Sequence, residues 1–169
     1  MSAASAPLTV RRFAPGETAA LRTIRREALA IEPAAFGSSL VEEWDMAEEQ
    51  VEAWIDDNLI IGAFAGREAV AMAGLRRLRR HKVRHRAELW GVYVRRAWRG
   101  TGTADRLMEV LLELCDRDIR QVELNVVEGH SAALAFYRRH GFRESGRIPN
   151  ATVTEGGYAD EIVMTRWLD

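Results

Sequence analysis

The stretch that decides the fold is VYVRRAWRGTGTADRL, residues 92–107. It begins as an alternating apolar strand, passes through three arginines and two glycines, and continues as an amphipathic helix. Exposed N–H groups at the start of a helix favour a bound anion, and glycine lets that anion approach the backbone. The stretch therefore predicts a strand, a tight loop and a helix that begins beside a phosphate group.

Two common nucleotide motifs do not fit this loop. The P-loop pattern G-x-x-x-x-G-K-[ST] is absent from the chain. The dinucleotide pattern G-x-G-x-x-G begins with Gly100 and Gly102 but meets Asp105 at its third glycine. The spacing alone leaves ordinary turn chemistry open as the alternative to a phosphate site.

Composition limits the classes of protein to consider. The chain has 169 residues, 47% of them hydrophobic and 29% charged, and a net charge of −1, which is typical of a globular domain and argues against a nucleic-acid-binding role. Cys115 is its only cysteine, so no internal disulfide forms. No apolar run reaches the roughly 18 residues of a membrane span, and the opening MSAASAPL does not resemble a secretory signal. We expect one cytoplasmic domain over residues 1–169, with a core from about 8 to 168.

The hydrophobic periods change along the chain in an order typical of a mixed sheet with flanking helices. Ser39 and Glu42 have capping-box spacing, and Leu107, Leu111, Leu114 and Cys115 share one helical face. In chain order the predicted elements are a strand at 8–13, helices at 15–31 and 39–57, an antiparallel meander of strands at 58–65, 69–78 and 87–94, a helix at 100–118, a parallel strand at 121–127, a helix at 131–142 and a closing strand at 158–168.

Residues Arg99, Gly100, Thr101, Gly102, Thr103 and Ala104 match the R/Q-x-x-G-x-G/A signature. In this the chain resembles the GNAT superfamily of acetyl-CoA-dependent N-acetyltransferases. A second segment, NVVEGHSAALAFYRRHGF at 125–142, is similar to a later helix of that family, which carries a tyrosine, here Tyr137, and ends in a Gly-Phe pair. The resemblance covers nearly the whole chain and implies an α/β fold, a mixed sheet of about seven strands flanked by about four helices.

The same resemblance implies how acetyl-CoA binds as co-substrate. The pyrophosphate is expected on the backbone amides of residues 99–104, with the nearby arginines supplying positive potential, and the pantetheine arm is expected to pair with the backbone near Val92 and Val94. His130 stands where the family has asparagine; its ring can still donate a hydrogen bond, so it is kept as a cofactor contact, and a helix cap by Ser131 instead is one alternative. A solvent-facing histidine is the other.

Acyl transfer to an amine of pKa about 10 needs a proton acceptor, an oxyanion stabiliser and a proton donor. Glu88 is the candidate base, because a regular strand would place it on one apolar side with Trp90, Val92 and Val94. It precedes Arg99 by eleven residues, the spacing of the general base in related histone acetyltransferases. The alternative for Glu88 is an ion pair with the neighbouring arginines.

Tyr137 resembles the family's tyrosine that protonates the leaving thiolate; the alternative is a core aromatic. A backbone N–H near Val92 would serve the oxyanion. Cys115 has no histidine or aspartate at an activating spacing, so we interpret it as buried filler and expect direct transfer. The four histidines are scattered, with only His81 and His85 close together, and no metal site is predicted.

Two charged segments bear on the acceptor. Residues 76–86 carry seven Arg or Lys and are expected at a hairpin tip, while residues 41–57 carry eight acidic residues and no basic one. The basic tip is interpreted as solvated, with binding of an anionic ligand or nucleic acid as the alternative. The acidic helix either neutralises the tip or, because the GNAT resemblance implies that the first two helices and their connection wall the acceptor cleft, residues 32–44 attract a cationic amine. Glu161 is a further candidate for that attraction. The predicted function is acetyl transfer from acetyl-CoA to a primary amine, and polyamines, amino acids, antibiotics and protein amines all stay open. A homodimer is compatible with this function, and the alternative is a non-catalytic acyl-CoA-binding module.

Overall fold

The computed structural model describes residues 7–169. The interpretation of the opening stretch as lacking a secretory signal concerns mainly residues 1–6, which lie outside the described residues. Between Leu8 and Trp167 the chain forms one seven-stranded sheet with helices packed on both faces.

The sheet confirms the expected architecture. Its strands are β1 (Leu8–Arg12), β2 (Leu59–Ala65), β3 (Glu68–Arg77), β4 (Arg86–Val94), β5 (Gln121–Val127), β6 (Arg143–Thr154) and β7 (Gly157–Trp167). They lie in the order β1-β2-β3-β4-β5-β7-β6, and every neighbouring pair is antiparallel except β4 and β5. The predicted crossover from β4 through a helix to β5 is therefore present, because a parallel pair requires such a connection.

The helices are α1 (Thr18–Ile31), α2 (Leu40–Trp44), α3 (Glu48–Asp57), α4 (Thr103–Glu113) and α5 (Ser131–Arg139). The single helix expected over residues 39–57 is two helices, because Ala47 is extended and its N–H donates to Gln50 Oε1 at 2.8 Å, which starts a new helix. The capping box at Ser39 is confirmed, with Glu42 N donating to Ser39 Oγ at 3.3 Å. The break explains why residues 7–169 form five α-helices where about four are expected.

The structure corrects two further expectations, the end of one helix and the number of strands near the C-terminus. The helix expected over 100–118 ends at Glu113, so Leu114 leaves the apolar face and is half exposed. Strand β6 has no predicted counterpart at 143–154, because it is a mostly exposed edge strand without period-2 alternation. It also contains Pro149 and a left-handed Asn150, which interrupt its pairing with β7.

Two hydrophobic cores lie on opposite faces of the sheet. On one face α1 and α3 contribute Leu21, Ile24 and Ile55, all at most 1% exposed. On the other face α4 contributes Leu107 and Leu111, which pack against the inner strands. Because β3 and β4 lie at the centre between both layers, any opening in the sheet beside β4 connects the two sides of the molecule.

Candidate active site

The sheet opens between its two parallel strands. β4 and β5 pair at only three positions, Arg86 with Gln121, Ala87 with Val122 and Glu88 with Glu123. β5 continues to pair with β7 along its full length. Beyond Glu88, β4 therefore has no strand neighbour on its β5 side, and its backbone groups there face a gap.

A bulge in β4 then changes which side chains face each layer. Gly91 has φ +65, and the register between β3 and β4 shifts beside it. Trp90 and Tyr93 consequently pack on the α1 side, while Val92 and Val94 pack on the α4 side. The expectation that Glu88 and Trp90 share a face with the two valines is wrong for the valines, because it assumed a regular strand.

The gap forms a cavity of about 800 Å³. Its walls come from both layers, Arg25, Phe36 and Trp54 on the α1 side and Tyr137 from α5. Glu88 and Val92 also line it. The structure thus brings three of the sequence-predicted site residues, Glu88, Tyr137 and Val92, to one cavity that passes through the sheet.

Glu88 lies at the point where the strands separate. Its Oε2 accepts a hydrogen bond from Arg76 Nη2 at 2.5 Å, and the two side chains are 39% and 61% exposed. The ion pair that the alternative interpretation requires is therefore present. An ion pair this exposed contributes roughly 0.2–1 kcal/mol, so Arg76 holds Glu88 only weakly.

Tyr137 occupies the α5 side of the cavity. Its ring packs edge-on against Phe136 and Phe142, with centroid distances of 5.3 and 5.8 Å, so the aromatic contacts of the alternative interpretation are also present. No hydrogen bond from another described residue contributes to the environment of its hydroxyl. Burial raises the pKa of Tyr137. The phenol consequently stays protonated at neutral pH, which suits a proton donor and not a base.

The loop at residues 99–104 has the geometry that a bound phosphate group needs. Gly100 and Gly102 have φ +73 and +83, and a Cβ built on either glycine would meet no heavy atom within 4 Å. Gly102 precedes α4 without a side-chain cap, so the first N–H groups of α4 stay available. Thr101 Oγ1 donates a hydrogen bond to Trp98 O at 2.6 Å, which holds the loop against the preceding turn. The residues present fit a phosphate group.

The arginines before this loop serve mainly to hold it. Arg95 pairs with Glu27 and Glu68 at 2.8 and 2.6 Å, and Arg99 pairs with Glu32. Arg99 Nε also donates to the carbonyl oxygen of Val94 at 2.8 Å. The expectation that these arginines supply positive potential is corrected for Arg95 and Arg99, because carboxylates already neutralise both.

Several predicted cofactor residues lie outside the cavity walls, namely Val94, His130 and the loop from Arg99 to Ala104. His130 directly precedes α5 and makes no capping hydrogen bond with its side chain. Ser131 is the first residue of that helix and not its cap, so the alternative in which Ser131 caps the helix is wrong. Ser131 donates its backbone N–H to Gly129 O at 2.9 Å instead.

The sequence can now be compared with known protein families. The sequence model described as the acetyltransferase (GNAT) family matches residues 22–142, which is more than half of the chain. The chain belongs to the acetyltransferase (GNAT) family. The matched region contains the split of the sheet, the glycine loop and the tyrosine of α5.

One curated relative is the L-amino acid N-acetyltransferase AaaT of Escherichia coli K12, 30% identical over 79 residues. The match covers 46% of this chain, and the chain spans about half the length of that relative, 49%.

Solved GNAT structures share the fold. An acetyltransferase of Streptococcus pneumoniae has a TM-score of 0.84 and 20% identity, over 96% of this chain and 100% of that one. The ribosomal-protein-alanine N-acetyltransferase of Brucella melitensis has a TM-score of 0.79 and 24% identity, over 95% and 99%. yncA of Salmonella typhimurium, solved with its cofactor acetyl-CoA, has a TM-score of 0.78 and 18% identity, over 96% and 95%.

Some residues of this GNAT cavity escaped the sequence analysis. Arg25 lies on the buried face of α1 with Leu21, Ile24 and Ala28. A charged residue among such apolar positions is unusual, and this could have marked Arg25 as a candidate in the sequence. Asn125 had no such signal; its Nδ2 donates to Glu161 Oε2 at 2.9 Å, and both residues line the cavity.

Cys115 contributes nothing to the cavity walls. It packs partly buried against the α4-side core, and burial raises its pKa to about 11. Within residues 7–169 no three His, Cys, Asp or Glu side chains are grouped so that they could hold a metal ion. None of the described helices is long and apolar enough to cross a membrane.

The basic residues at 76–86 form ion pairs with acidic residues in several different elements. Arg77 pairs with Asp116 at 2.9 Å and Arg86 with Glu123 at 2.5 Å. Only Arg79 reaches the acidic segment, through Asp57 at 3.1 Å. Neutralisation of the tip by the acidic helix is therefore limited to one exposed pair.

Replacement of Gly102 by alanine tests the glycine loop. We expect Gly102→Ala to weaken acetyl-CoA binding at least about 10-fold, or about 1.4 kcal/mol, because the new methyl group occupies the space beside the amides. The measurement is calorimetric titration. Gly66→Ala is the matched control, since Gly66 also has a positive φ and open space but lies in the β2–β3 turn. Unchanged affinity in folded Gly102→Ala would remove the phosphate from this loop.

Replacement of Tyr137 by phenylalanine tests the proton donor. Tyr137→Phe keeps the ring and deletes the hydroxyl, so we expect kcat to fall roughly 10²-fold with acetyl-CoA affinity retained. Because burial raises the pKa of Tyr137, the wild-type kcat should also hold up to at least about pH 10. Tyr158→Phe, at an exposed position of β7, is the control. Wild-type turnover in Tyr137→Phe, with chemistry rate-limiting, would assign Tyr137 to packing alone.

Proposed function

We propose that this protein catalyses direct transfer of an acetyl group from acetyl-CoA to a primary amine. The observation that carries the proposal is the cavity at the split between β4 and β5, which Glu88 and Tyr137 both line. A carboxylate and a phenol on one cavity match the proton acceptor and the proton donor that this reaction needs. Membership of the GNAT family supports the activity, and the acetyl-CoA in the yncA structure supports the co-substrate.

In this proposal the two residues divide the proton transfers. Glu88 takes a proton from the amine, directly or through water, so that the nitrogen lone pair forms the new C–N bond at the thioester carbonyl. The backbone N–H near Val92 stabilises the oxyanion. As the carbonyl re-forms and the C–S bond breaks, Tyr137 gives its proton to the departing sulfur, and the nitrogen releases its second proton to solvent. Glu88 then returns its proton to solvent and Tyr137 recovers one, so that one proton is released overall. Cys115 takes no part, because its raised pKa keeps it as a thiol outside the cavity walls.

Acetyl-CoA is proposed to bind mainly through backbone groups. The amides of Arg99, Gly100, Thr101, Gly102, Thr103 and Ala104 hold the pyrophosphate. The pantetheine arm pairs with β4 at Val92 and Val94, which the missing strand pairs beyond Glu88 support. His130 is proposed as a side contact to the same molecule. No metal takes part in this proposal.

The proposal includes one catalytic domain from about residue 8 to 168 that acts in the cytoplasm. The continuous sheet from Leu8 to Trp167 supports the single domain. The lone free thiol of Cys115 is compatible with a reducing compartment. The names of AaaT and of the Brucella enzyme give an L-amino acid and a ribosomal-protein alanine as acceptors, and both support a primary amine here.

Glu88→Gln tests the proposed base. The substitution preserves size and hydrogen bonding but removes proton acceptance, so it should abolish the acid limb of the kcat/KM profile for the best acceptor in a panel of primary amines. Activity should return partly at high pH, where the amine loses its proton in bulk solvent. The measurement is the wild-type to Glu88→Gln ratio of kcat/KM from about pH 6 to 10, by thiol release.

Glu123→Gln is the matched control for this series. Glu123 pairs with Glu88 across the strands and also binds an arginine, Arg86, but does not line the cavity. Its ratio to wild type should be independent of pH. A flat ratio for Glu88→Gln would assign the base to another group, and acetyl-CoA binding without turnover of any amine would favour the non-catalytic module.

A further inference from the structure

The helix that carries Tyr137 has little of its own to fix its orientation. α5 has nine residues, none of its side chains belongs to the fully buried core, and no side chain caps its N-terminus. A helix this short is marginal by itself in water, so its direction is set by contacts with the rest of the fold. Because no neighbouring hydrogen bond contributes to the environment of the Tyr137 hydroxyl, the position of that group depends on its ring and its helix.

Asp105 connects the end of this helix to α4. His140 Nε2 lies 2.8 Å from Asp105 Oδ1, and Arg139 Nη2 lies 3.1 Å from the same oxygen. Arg139 is the last residue of α5 and His140 is its C-cap. The hydrogen bond from His140, and after it that from Arg139, lowers the pKa of Asp105, so the carboxylate is ionised at neutral pH. An ionised carboxylate only accepts, so Nε2 of His140 carries the hydrogen in this bond.

Asp105 belongs to the first turn of α4, directly after the glycine loop. In the sequence it stands where the dinucleotide pattern requires its third glycine, and the proposed reaction gives it no part. The helix dipole favours a carboxylate in a first turn, but this carboxylate is a disadvantage beside a bound pyrophosphate, because two anions repel each other. The bonds from His140 and Arg139 therefore offset a charge that the phosphate site alone does not need.

A continuous series of contacts leads from Asp105 to the phenol. The ring centroid of His140 lies 4.7 Å from that of Phe136, and Phe136 packs edge-on against Tyr137 at 5.3 Å. The backbone N–H of His140 also donates to the carbonyl oxygen of Tyr137 at 3.0 Å. The His140 side chain is only 13% exposed, with Asp105 on one side and Phe136 on the other. A displacement of the His140 ring would therefore be passed on to the ring of Tyr137.

The sheet holds the same end of α5 through the backbone. Arg166 Nη1 of β7 donates to the carbonyl oxygen of His140 at 2.6 Å, and Phe142 is buried at 1% exposure. These two contacts do not involve the Asp105 carboxylate, so they remain when it is removed. Loss of the carboxylate should consequently leave the fold intact and change the orientation of the aromatic side chains on α5.

We propose that Asp105 and His140 are positioning residues that hold the Tyr137 phenol beside the cavity. This rests on the proposed acetyl transfer, in which Tyr137 protonates the departing sulfur. The helix that starts at the proposed pyrophosphate site thereby also orients the proposed proton donor. A donor has to lie within hydrogen-bond reach of its target, and a displacement of about 1 Å can cost about 10²-fold in rate.

Fluorine NMR tests the placement without any turnover. Labelling with 3-fluorotyrosine gives three resonances, one for each tyrosine of the chain, and Tyr137→Phe assigns the resonance of Tyr137. We expect Asp105→Ala to change the chemical shift or line width of that resonance and to leave the resonance of Tyr158, exposed on β7, as in wild type. Glu109→Ala is the matched control, because Glu109 is another acidic residue of α4 but pairs within that helix, with Arg106.

Kinetics with the best primary amine test the consequence for the reaction. Asp105→Ala should lower kcat at least about 10-fold, because the phenol no longer meets the sulfur in the right geometry. Its acetyl-CoA affinity, by calorimetric titration, should be retained or increased, because the change removes an anion from the first turn of α4. Asp105→Asn keeps an oxygen that accepts from His140, so it should recover most of kcat. Glu109→Ala should match wild type.

A double-mutant cycle shows whether the effect passes through Tyr137. His140→Ala should lower kcat in the wild-type chain as Asp105→Ala does. In the Tyr137→Phe background it should cost less than about 2-fold, because that background has no proton donor to misplace. Circular dichroism and thermal melting verify the fold of each variant.

The fluorine spectra and the kinetics can each contradict the proposal. An unchanged Tyr137 resonance in folded Asp105→Ala would overturn it whatever the activity. Equal losses of kcat from His140→Ala in the wild-type and Tyr137→Phe backgrounds would also overturn it, as would a loss of acetyl-CoA affinity in place of kcat. If the wild-type protein turns over no amine, the acetyl transfer itself fails, and the fluorine resonances still decide whether Asp105 places Tyr137.

Discussion

The loss of pairing between β4 and β5 after Glu88 is the constraint on which the rest of the site depends. A parallel pair that continued would bury the backbone of β4 and close the sheet. Because only three residue pairs form, the two hydrophobic layers are joined by a cavity in the middle of the fold. The long antiparallel pairings of β3 with β4 and of β5 with β7 hold the two halves in place, so the opening does not require a mobile segment.

The bulge at Gly91 makes the side chains of β4 face different layers before and after it. Upstream of it Glu88 and Trp90 face the α1 layer, where we propose that the amine binds. Downstream of it Val92 and Val94 pack on the α4 side, toward the glycine loop at residues 99–104. In the proposed reaction, one strand therefore presents a proton acceptor to the amine and backbone groups to acetyl-CoA. The ion pairs of Arg95 and Arg99 with α1 connect the loop to the same helix that carries Arg25.

Local patterns predicted the order of the elements except for β6 and the break between α2 and α3, because period and capping are encoded within a few residues. The capping box at Ser39 and the strand at 121–127 are examples. The facing of Val92 and Val94 could not be predicted, since an apolar run around Gly91 reads as a regular strand until pairing with β3 reveals the bulge. Arg25 gave only a weak signal, because its place in the cavity wall depends on contacts with distant elements. Glu88 and Tyr137 were found by residue type and resemblance, and their shared cavity is a property of the split sheet.

A crystal structure with coenzyme A and a primary amine tests the central claim most directly, because it shows whether the split in the sheet is where the two substrates meet. The account predicts the pyrophosphate on the amides of residues 99–104, the pantetheine arm along β4 beyond Glu88, and the thiol in the cavity between Glu88 and Tyr137. Coenzyme A bound on another surface, with the gap between β4 and β5 still free, would contradict it.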